Sequence, residues 1–144
     1  QARLWRQSRS RETIEAKIEE LVSADAPTLA TYLRSVGAQS GKPVTRAIPG
    51  LSWHQWREAF DVFVLKDGKA IWDAADPGYI ALAEEAKKLG MTPGRYFPTF
   101  PDCDHIQARP QASPKGIYTL PEIDETMRSM YGIDEKLWLS KQEE

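Results

Sequence analysis

Residues 62–72 read VFVLKDGKAIW, and this stretch decides between an all-helical chain and a mixed one. The pair Asp67-Gly68 lies between two runs of β-prone residues. Glycine tolerates the positive φ that a type I′ turn requires, so an Asp-Gly pair in this setting is a strong hairpin signal. The pattern therefore predicts one short β-hairpin at about 62–72. The alternative is a helix that extends to Leu65 and ends at the Asp-Gly pair.

Two helices are predicted near the start of the chain. Hydrophobic residues recur at spacings of three and four after Ser10, and the same spacing returns after Pro27. This periodicity is typical of amphipathic helices, and two helices joined by a few residues favour an antiparallel arrangement. We therefore expect a helical hairpin over 10–37, followed by a linker over 38–50 that is rich in glycine and proline.

A further helix start is predicted directly before the β-hairpin. Ser52 and Gln55 have the spacing of a capping box, in which the two side chains bond to backbone N–H groups of the first turn. Trp53, Trp56 and Phe60 would then form one apolar stripe on the helix that follows. The sequence thus predicts a helix that reaches about Phe60, where the periodicity changes.

The second half of the chain combines two helices with a proline-rich segment. Asp76 and Pro77 supply a capping side chain and a first-turn proline for one helix. Residues 93–118 are predicted to form a long ordered loop, because proline disfavours helices and central strands. Thr119 and Glu122 then predict a second capping box at the start of a C-terminal helix.

These patterns predict an α+β fold that is predominantly helical. We expect a single domain over 1–144, made of the helical subregion 10–37, the linker 38–50 and a main part over 51–140. Because fifty residues alone bury little apolar surface, the linker is not expected to separate two domains.

Composition and charge exclude several protein classes. Hydrophobic residues make up 41% and charged residues 28%, values that are typical of a globular chain. No apolar run reaches the roughly 18–20 residues of a membrane span, and no signal-peptide pattern opens the sequence. Nineteen basic and 21 acidic side chains give a formal net charge of −2, which excludes a pervasive nucleic-acid-binding field but not a local basic patch. A single cysteine, Cys103, excludes an internal disulfide and a multi-cysteine zinc motif.

The densest group of reactive side chains is Asp102-Cys103-Asp104-His105, inside the proline-rich segment. A histidine can accept the proton of an attacking water, while adjacent carboxylates hold a hard divalent cation against a phosphate. We therefore take His105 as the candidate catalytic base, and Asp102 and Asp104 as candidate metal ligands.

The tripeptide Asp104-His105-Ile106 resembles the Asp-His-Ile core of the HNH (His-Me finger) nucleases, and the resemblance covers about residues 102–127. It implies that the aspartate binds the metal and that the histidine is the general base. It also implies the ββα-metal layout of that family, with a strand at 102–106, a loop at 107–116, a strand at 117–119 and a helix from about Leu120.

The same mapping guides the choice of the remaining ligand. The chain contains no asparagine and no histidine after position 105, so a third ligand would come from an acid of the last helix: Glu122, Asp124 or Glu125. Glu122 is already assigned to the capping box, and we take Asp124. Arg109 and Lys115 are the candidate phosphate contacts, and the implied cofactor is a divalent cation, Mg²⁺ or similar.

Two other interpretations of the cluster stay open. In one, Cys103 and His105 bind a transition metal with His54 as a further ligand, although a structural zinc site has four ligands. In the other, the cluster is structural. Asp102 and Asp104 would cap turns, His105 would bond to a carboxylate, and Cys103 would be a small buried hydrophobic residue.

Two classes of function follow. The first is metal-dependent phosphodiester hydrolysis by a nuclease-type domain with a nucleic-acid partner, and the start at Gln1 leads us to expect the terminal toxin or effector unit of a larger bacterial protein. The second is a non-catalytic protein–protein interaction module, such as an accessory subunit or an inhibitor or immunity-type protein. Trp5 and Trp138, near the termini, are the candidate contacts with a protein partner. We expect no membrane partner, and a cytoplasmic or secreted location.

Overall fold

The computed structural model describes residues 1–133, which divide into two compact units. The first consists of Gln1–Gln55 and the described part of Ser113–Glu144, and the second is Trp56–Ala112. The helices are α1 (Ala2–Arg6), α2 (Arg11–Ser23), α3 (Pro27–Arg34), α4 (Pro77–Lys88) and α5 (Leu120–Tyr131). The strands are β1 (Ala59–Asp61), β2 (Val64–Lys66), β3 (Lys69–Ile71), β4 (Thr92–Pro93) and β5 (His105–Gln107). The predicted α+β fold is confirmed.

The first unit is helical, and its helix ends follow from local capping. The Ser10 side chain accepts a hydrogen bond from the backbone N–H of Thr13 at the start of α2. Thr119 and Glu122 form the predicted capping box at the start of α5. Helix α3 packs against both α2 and α5. The largest side chains that are fully buried on these three helices are Leu21, Leu29, Leu33, Ile123 and Met127.

Trp5 is part of this first unit rather than a surface residue. It lies in α1 and is only 4% exposed, and the Arg9 guanidinium lies 4.4 Å from the centre of its ring. A side chain this buried offers a partner little surface, and the assignment of Trp5 to a partner contact stays a prediction. The other tryptophan assigned to a partner, Trp138, lies outside the described residues.

The second unit contains the predicted hairpin. Strands β2 and β3 pair in antiparallel fashion, with Val64 opposite Ile71. The turn residues Asp67 and Gly68 have φ angles of 49° and 72°, and the type I′ turn requires positive φ at both of these positions. The hairpin prediction is confirmed, and the alternative helix through Leu65 is wrong.

The second unit also contains a three-stranded antiparallel sheet of order β1-β5-β4. The predicted helix after Ser52 is only a short 3₁₀ helix, Trp53–Trp56, because Arg57 has φ of 61° and so leaves the helical conformation. The chain then enters β1, where Phe60 is 47% exposed instead of lying on a buried stripe.

Strand β5 lies at the centre of this sheet, inside the segment predicted to be a loop. Its three residues fall between Pro101 and Pro110, so neither proline interrupts the ladder. Residues 117–119, predicted as the partner strand of the ββα-metal layout, form no strand. The backbone N–H groups of Ile117 and Tyr118 both donate to the Pro114 carbonyl in a tight turn, and the partners of β5 are β1 and β4.

In the first unit α5 joins the N-terminal helices, and the unit boundaries fall after residues 55 and 112. That the whole chain forms a single domain, with subregions 10–37, 38–50 and 51–140, stays a prediction. No helix within residues 1–133 combines the length and the hydropathy that crossing a membrane would require.

Candidate functional site

Strand pairing in the second unit brings His105 and Asp61 together. The two residues are direct partners in the β1–β5 ladder, and the side chains of such partners lie on the same face of the sheet. The distance between His105 Nδ1 and Asp61 Oδ1 is 3.3 Å. His105 is 9% exposed, and its ring packs against the Phe97 ring with 5.7 Å between ring centres. The ladder register therefore creates a histidine–carboxylate pair.

Gln107 fixes which nitrogen of His105 carries a proton. It follows His105 by two positions on the same face of β5, and its Oε1 lies 3.0 Å from His105 Nε2. Its amide nitrogen donates to the carbonyl oxygens of Arg109 and Gln111, at 2.5 and 2.8 Å. Because both amide hydrogens are directed at acceptors, the amide oxygen must face the ring. His105 Nε2 is therefore a hydrogen-bond donor.

This arrangement leaves two chemical states for His105 Nδ1. A protonated Nδ1 makes the ring an imidazolium that donates to Asp61. A deprotonated Nδ1 presents a lone pair next to a carboxylate oxygen, and a cation can bridge two such acceptors. Two ligand atoms at about 2.1 Å from a divalent cation are separated by roughly 3.0–3.4 Å in octahedral or tetrahedral geometry. The observed separation of 3.3 Å fits a shared cation.

These contacts bear on the role of general base assigned to His105, which stays a prediction. A general base needs a lone pair that an attacking water can reach. In this structure Nε2 donates to a buried amide oxygen, and Nδ1 is directed at Asp61. His105 and Asp61 are both of residue types that commonly bind metals, and Gln107 orients the imidazole from its other side.

The predicted acids Asp102 and Asp104 lie in the turn that leads into β5. The Asp102 backbone N–H donates to the Gly94 carbonyl at 2.9 Å, and the Asp104 carbonyl accepts from the Val62 N–H at 2.8 Å. Desolvation of the Asp102 carboxyl and its hydrogen bond to Asp104 raise the pKa of Asp102 to about 6, and the charge of Asp61 acts in the same direction. Three carboxyl groups and one imidazole therefore share this part of the second unit.

Replacing Asp102 with asparagine should flatten the pH dependence of stability. Its pKa rises from 3.8 in the unfolded chain to about 6, so folded protein binds more protons between these pH values and loses stability as pH increases. Removing the charge should therefore raise the free energy of unfolding at pH 7 by about 1 kcal/mol, a value reduced for solvent screening because the residue is exposed. Urea denaturation at pH 4 and pH 7 measures this. An equal change at both pH values would contradict it.

Three of the other predicted site residues have different surroundings. Arg109 donates from Nε and Nη2 to the Glu58 carboxylate at 2.5 and 3.1 Å, a bidentate pair that also lowers the pKa of Glu58. Asp124 belongs to the first unit, where its buried Oδ1 accepts the Leu29 N–H at 2.8 Å near the start of α3. Lys115 lies exposed in a 3₁₀ helix of the first unit. Arg109 is therefore held by a carboxylate, and Asp124 stabilises a helix terminus.

The alternative transition-metal set of Cys103, His105 and His54 stays a prediction. Desolvation and the charge of Asp104 raise the pKa of Cys103, so a metal bound there would have to displace the thiol proton. His54 belongs to the first unit, in the 3₁₀ helix Trp53–Trp56.

Asp61 and Gln107 are the site residues that sequence analysis missed. The alternation His105-Ile106-Gln107 does indicate two polar side chains on one face of a strand. Asp61 is 44 positions away from its partner, and no local pattern signals that pairing. Comparison with protein-family models, curated proteins and solved structures finds no match to this chain.

Proposed function

We propose that the second unit binds a divalent cation at His105 and Asp61 and hydrolyses phosphodiester bonds there. The observation that carries the proposal is the 3.3 Å separation between His105 Nδ1 and Asp61 Oδ1, combined with an Nε2 that must donate to Gln107. Asp102 and Asp104, which were predicted as metal ligands, supply further carboxylate oxygens in the adjoining turn.

The donor set indicates which cations to test. Imidazole nitrogen is preferred by transition metals such as Zn²⁺, whereas carboxylates suit Mg²⁺ and Mn²⁺. A bound cation would polarise the phosphate and lower the pKa of a coordinated water. The chain's own residues hold the ligand geometry: Gln107 orients the imidazole, and the β1–β5 ladder holds Asp61 opposite it. Because three carboxylates would repel a phosphodiester, hydrolysis should depend strictly on the cation.

Nucleic-acid cleavage tests this proposal. Wild-type protein should degrade a plasmid or a single-stranded oligonucleotide with Mg²⁺, Mn²⁺ or Zn²⁺, and EDTA should abolish the activity. His105→Ala should lower the rate at least about 100-fold because it removes a ligand. Glu85→Gln changes an exposed acid on α4 of the same unit and should leave the rate unchanged. Wild-type inactivity with all three cations, or full activity in His105→Ala, would overturn the proposal.

A second candidate function is the non-catalytic interaction module, and the hairpin is the feature that favours it. Phe63, Leu65 and Trp72 are 51%, 63% and 69% exposed, and the rings of Phe63 and Trp72 lie 5.7 Å apart. Exposed aromatic residues are enriched at protein interfaces. This function predicts that Trp72→Ala abolishes binding of a partner while His105→Ala leaves it intact. If Trp72→Ala leaves partner binding intact and His105→Ala abolishes it, the cation site is favoured.

A further inference from the structure

An open hollow of about 500 Å³ lies in the second unit, beside the turn that carries the acids. Its lining consists of Ala74, Ala75, Arg95, Tyr96, Pro101 and Cys103. Pro101 and Cys103 are the neighbours of Asp102 in the chain, so the hollow borders the turn that carries Asp102 and Asp104. Its volume falls in the range of small-molecule sites and exceeds what an inorganic anion fills.

Arg95 gives this hollow a positive charge. Its Nη1 donates to the Ala74 carbonyl at 2.6 Å, which anchors the guanidinium at the wall. Within residues 1–133 it forms no ion pair with a carboxylate, in contrast to Arg109, which is bound to Glu58. A guanidinium of this kind is suited to a phosphate, which it binds in a bidentate manner.

Tyr96 gives the hollow an aromatic wall that is held in place. Its hydroxyl donates to Glu84 Oε1 at 2.6 Å, and the Lys87 ammonium lies 3.8 Å from the centre of the ring. The side chain is nevertheless 46% exposed. Tyr96 is among the residues that line the hollow, whereas Lys87 is not. A fixed, accessible aromatic ring is the surface on which a nucleobase stacks.

We propose that this hollow binds one nucleoside monophosphate unit of the substrate, with the phosphate on Arg95 and the base against Tyr96. The proposal rests on the proposed function, which it extends by naming the unit of substrate that is recognised. It also replaces Arg109 and Lys115 by Arg95 as the phosphate contact. A substrate held in this way would place the phosphodiester next to the turn of Asp102 and Asp104.

Calorimetric titration of the whole chain in EDTA tests the proposal without any hydrolysis. A nucleoside 5′-monophosphate should bind at least about tenfold more tightly than either the nucleoside or inorganic phosphate, because only the first engages both walls. Arg95→Gln should lose about tenfold in affinity for the monophosphate and none for the nucleoside, whereas Arg95→Lys keeps the charge and should retain most of the affinity. Tyr96→Ala should weaken binding, and Tyr96→Phe, which keeps the ring, should not.

Two results separate this proposal from the proposed function. If the monophosphate binds with the expected dependence on Arg95 but nucleic acid is not cleaved, the proposed hydrolysis is wrong and nucleotide binding in the hollow is supported. If nucleic acid is cleaved but Arg95→Gln alters neither monophosphate affinity nor KM, the hollow is not the substrate site. The proposed nucleotide site is also overturned if folded wild-type protein does not bind the monophosphate, or if it binds inorganic phosphate with equal affinity.

Discussion

Replacing Gly94 with alanine should destabilise the second unit by about 2–3 kcal/mol, the range in which overpacking of a tight contact falls. A Cβ at this position would lie 2.6 Å from the Asp102 carbonyl oxygen, 3.0 Å from His105 Cβ and 3.2 Å from the His105 carbonyl oxygen. Two of these atoms belong to the backbone and cannot rotate away. The turn that carries the acids would have to move, so cation binding should weaken as well.

Gly90→Ala is the matched control for this substitution. Gly90 lies in the same unit and has φ of 75°, but no atom outside its chain neighbours lies within 4 Å of the added carbon. Alanine at this position should lower the free energy of unfolding by about 1 kcal/mol through backbone strain alone, and it should leave cation binding unchanged. Urea denaturation measures the stability of both variants. Equal losses in the two, or intact cation binding in Gly94→Ala, would contradict the close approach at Gly94.

Replacing Gly50 with alanine should destabilise the first unit by about 3 kcal/mol, because strain and crowding act together. Gly50 has φ of 85°, and a Cβ would lie 2.8 Å from Ile123 Cγ2, 3.0 Å from Met127 Cγ and 3.2 Å from Leu29 Cδ2. These three side chains are fully buried between α3 and α5, so they have little room to move.

Gly37→Ala serves as the control within the first unit. No atom outside its chain neighbours lies within 4 Å of the added carbon, and the residue is not in the left-handed region. The free energy of unfolding of the Gly37→Ala protein should differ from that of wild type by less than about 0.5 kcal/mol. Thermal and urea denaturation of both variants give the comparison, and a Gly50→Ala protein as stable as wild type would show that the packing around residue 50 is looser than described.

The parts of the fold that sequence predicted are those with local signals. The caps at Asp76 and Thr119 and the Asp67-Gly68 turn depend on residues no more than three positions apart, and each is present in the structure. The sheet β1-β5-β4 was missed because its strands have only two or three residues, too few to show an alternation. Arg57 has a positive φ, which ends the 3₁₀ helix before β1. Because this position is not a glycine, the sequence does not indicate the positive φ.

The candidate site was predicted only in part for a related reason. The reactive types in Asp102-Cys103-Asp104-His105 are visible in the sequence, but their roles depend on partners that are distant in the chain. Asp61 reaches His105 through the ladder register, and Glu58, 51 positions from Arg109, occupies the guanidinium that was predicted to bind phosphate. Similarly, Asp124 caps α3 from a helix 95 positions away. Such long-range pairings follow from tertiary structure.

Calorimetric titration with Mn²⁺ and Zn²⁺, comparing wild type with Asp61→Asn, tests most directly whether His105 and Asp61 hold a cation. The account predicts one cation per chain of wild type, and affinity at least about tenfold lower in Asp61→Asn because the amide replaces an anionic ligand. Gln107→Leu should also weaken binding about 10–100-fold, since the imidazole loses its orienting partner. Undetectable binding of both cations to folded wild-type protein, or equal affinity in Asp61→Asn, would contradict the account.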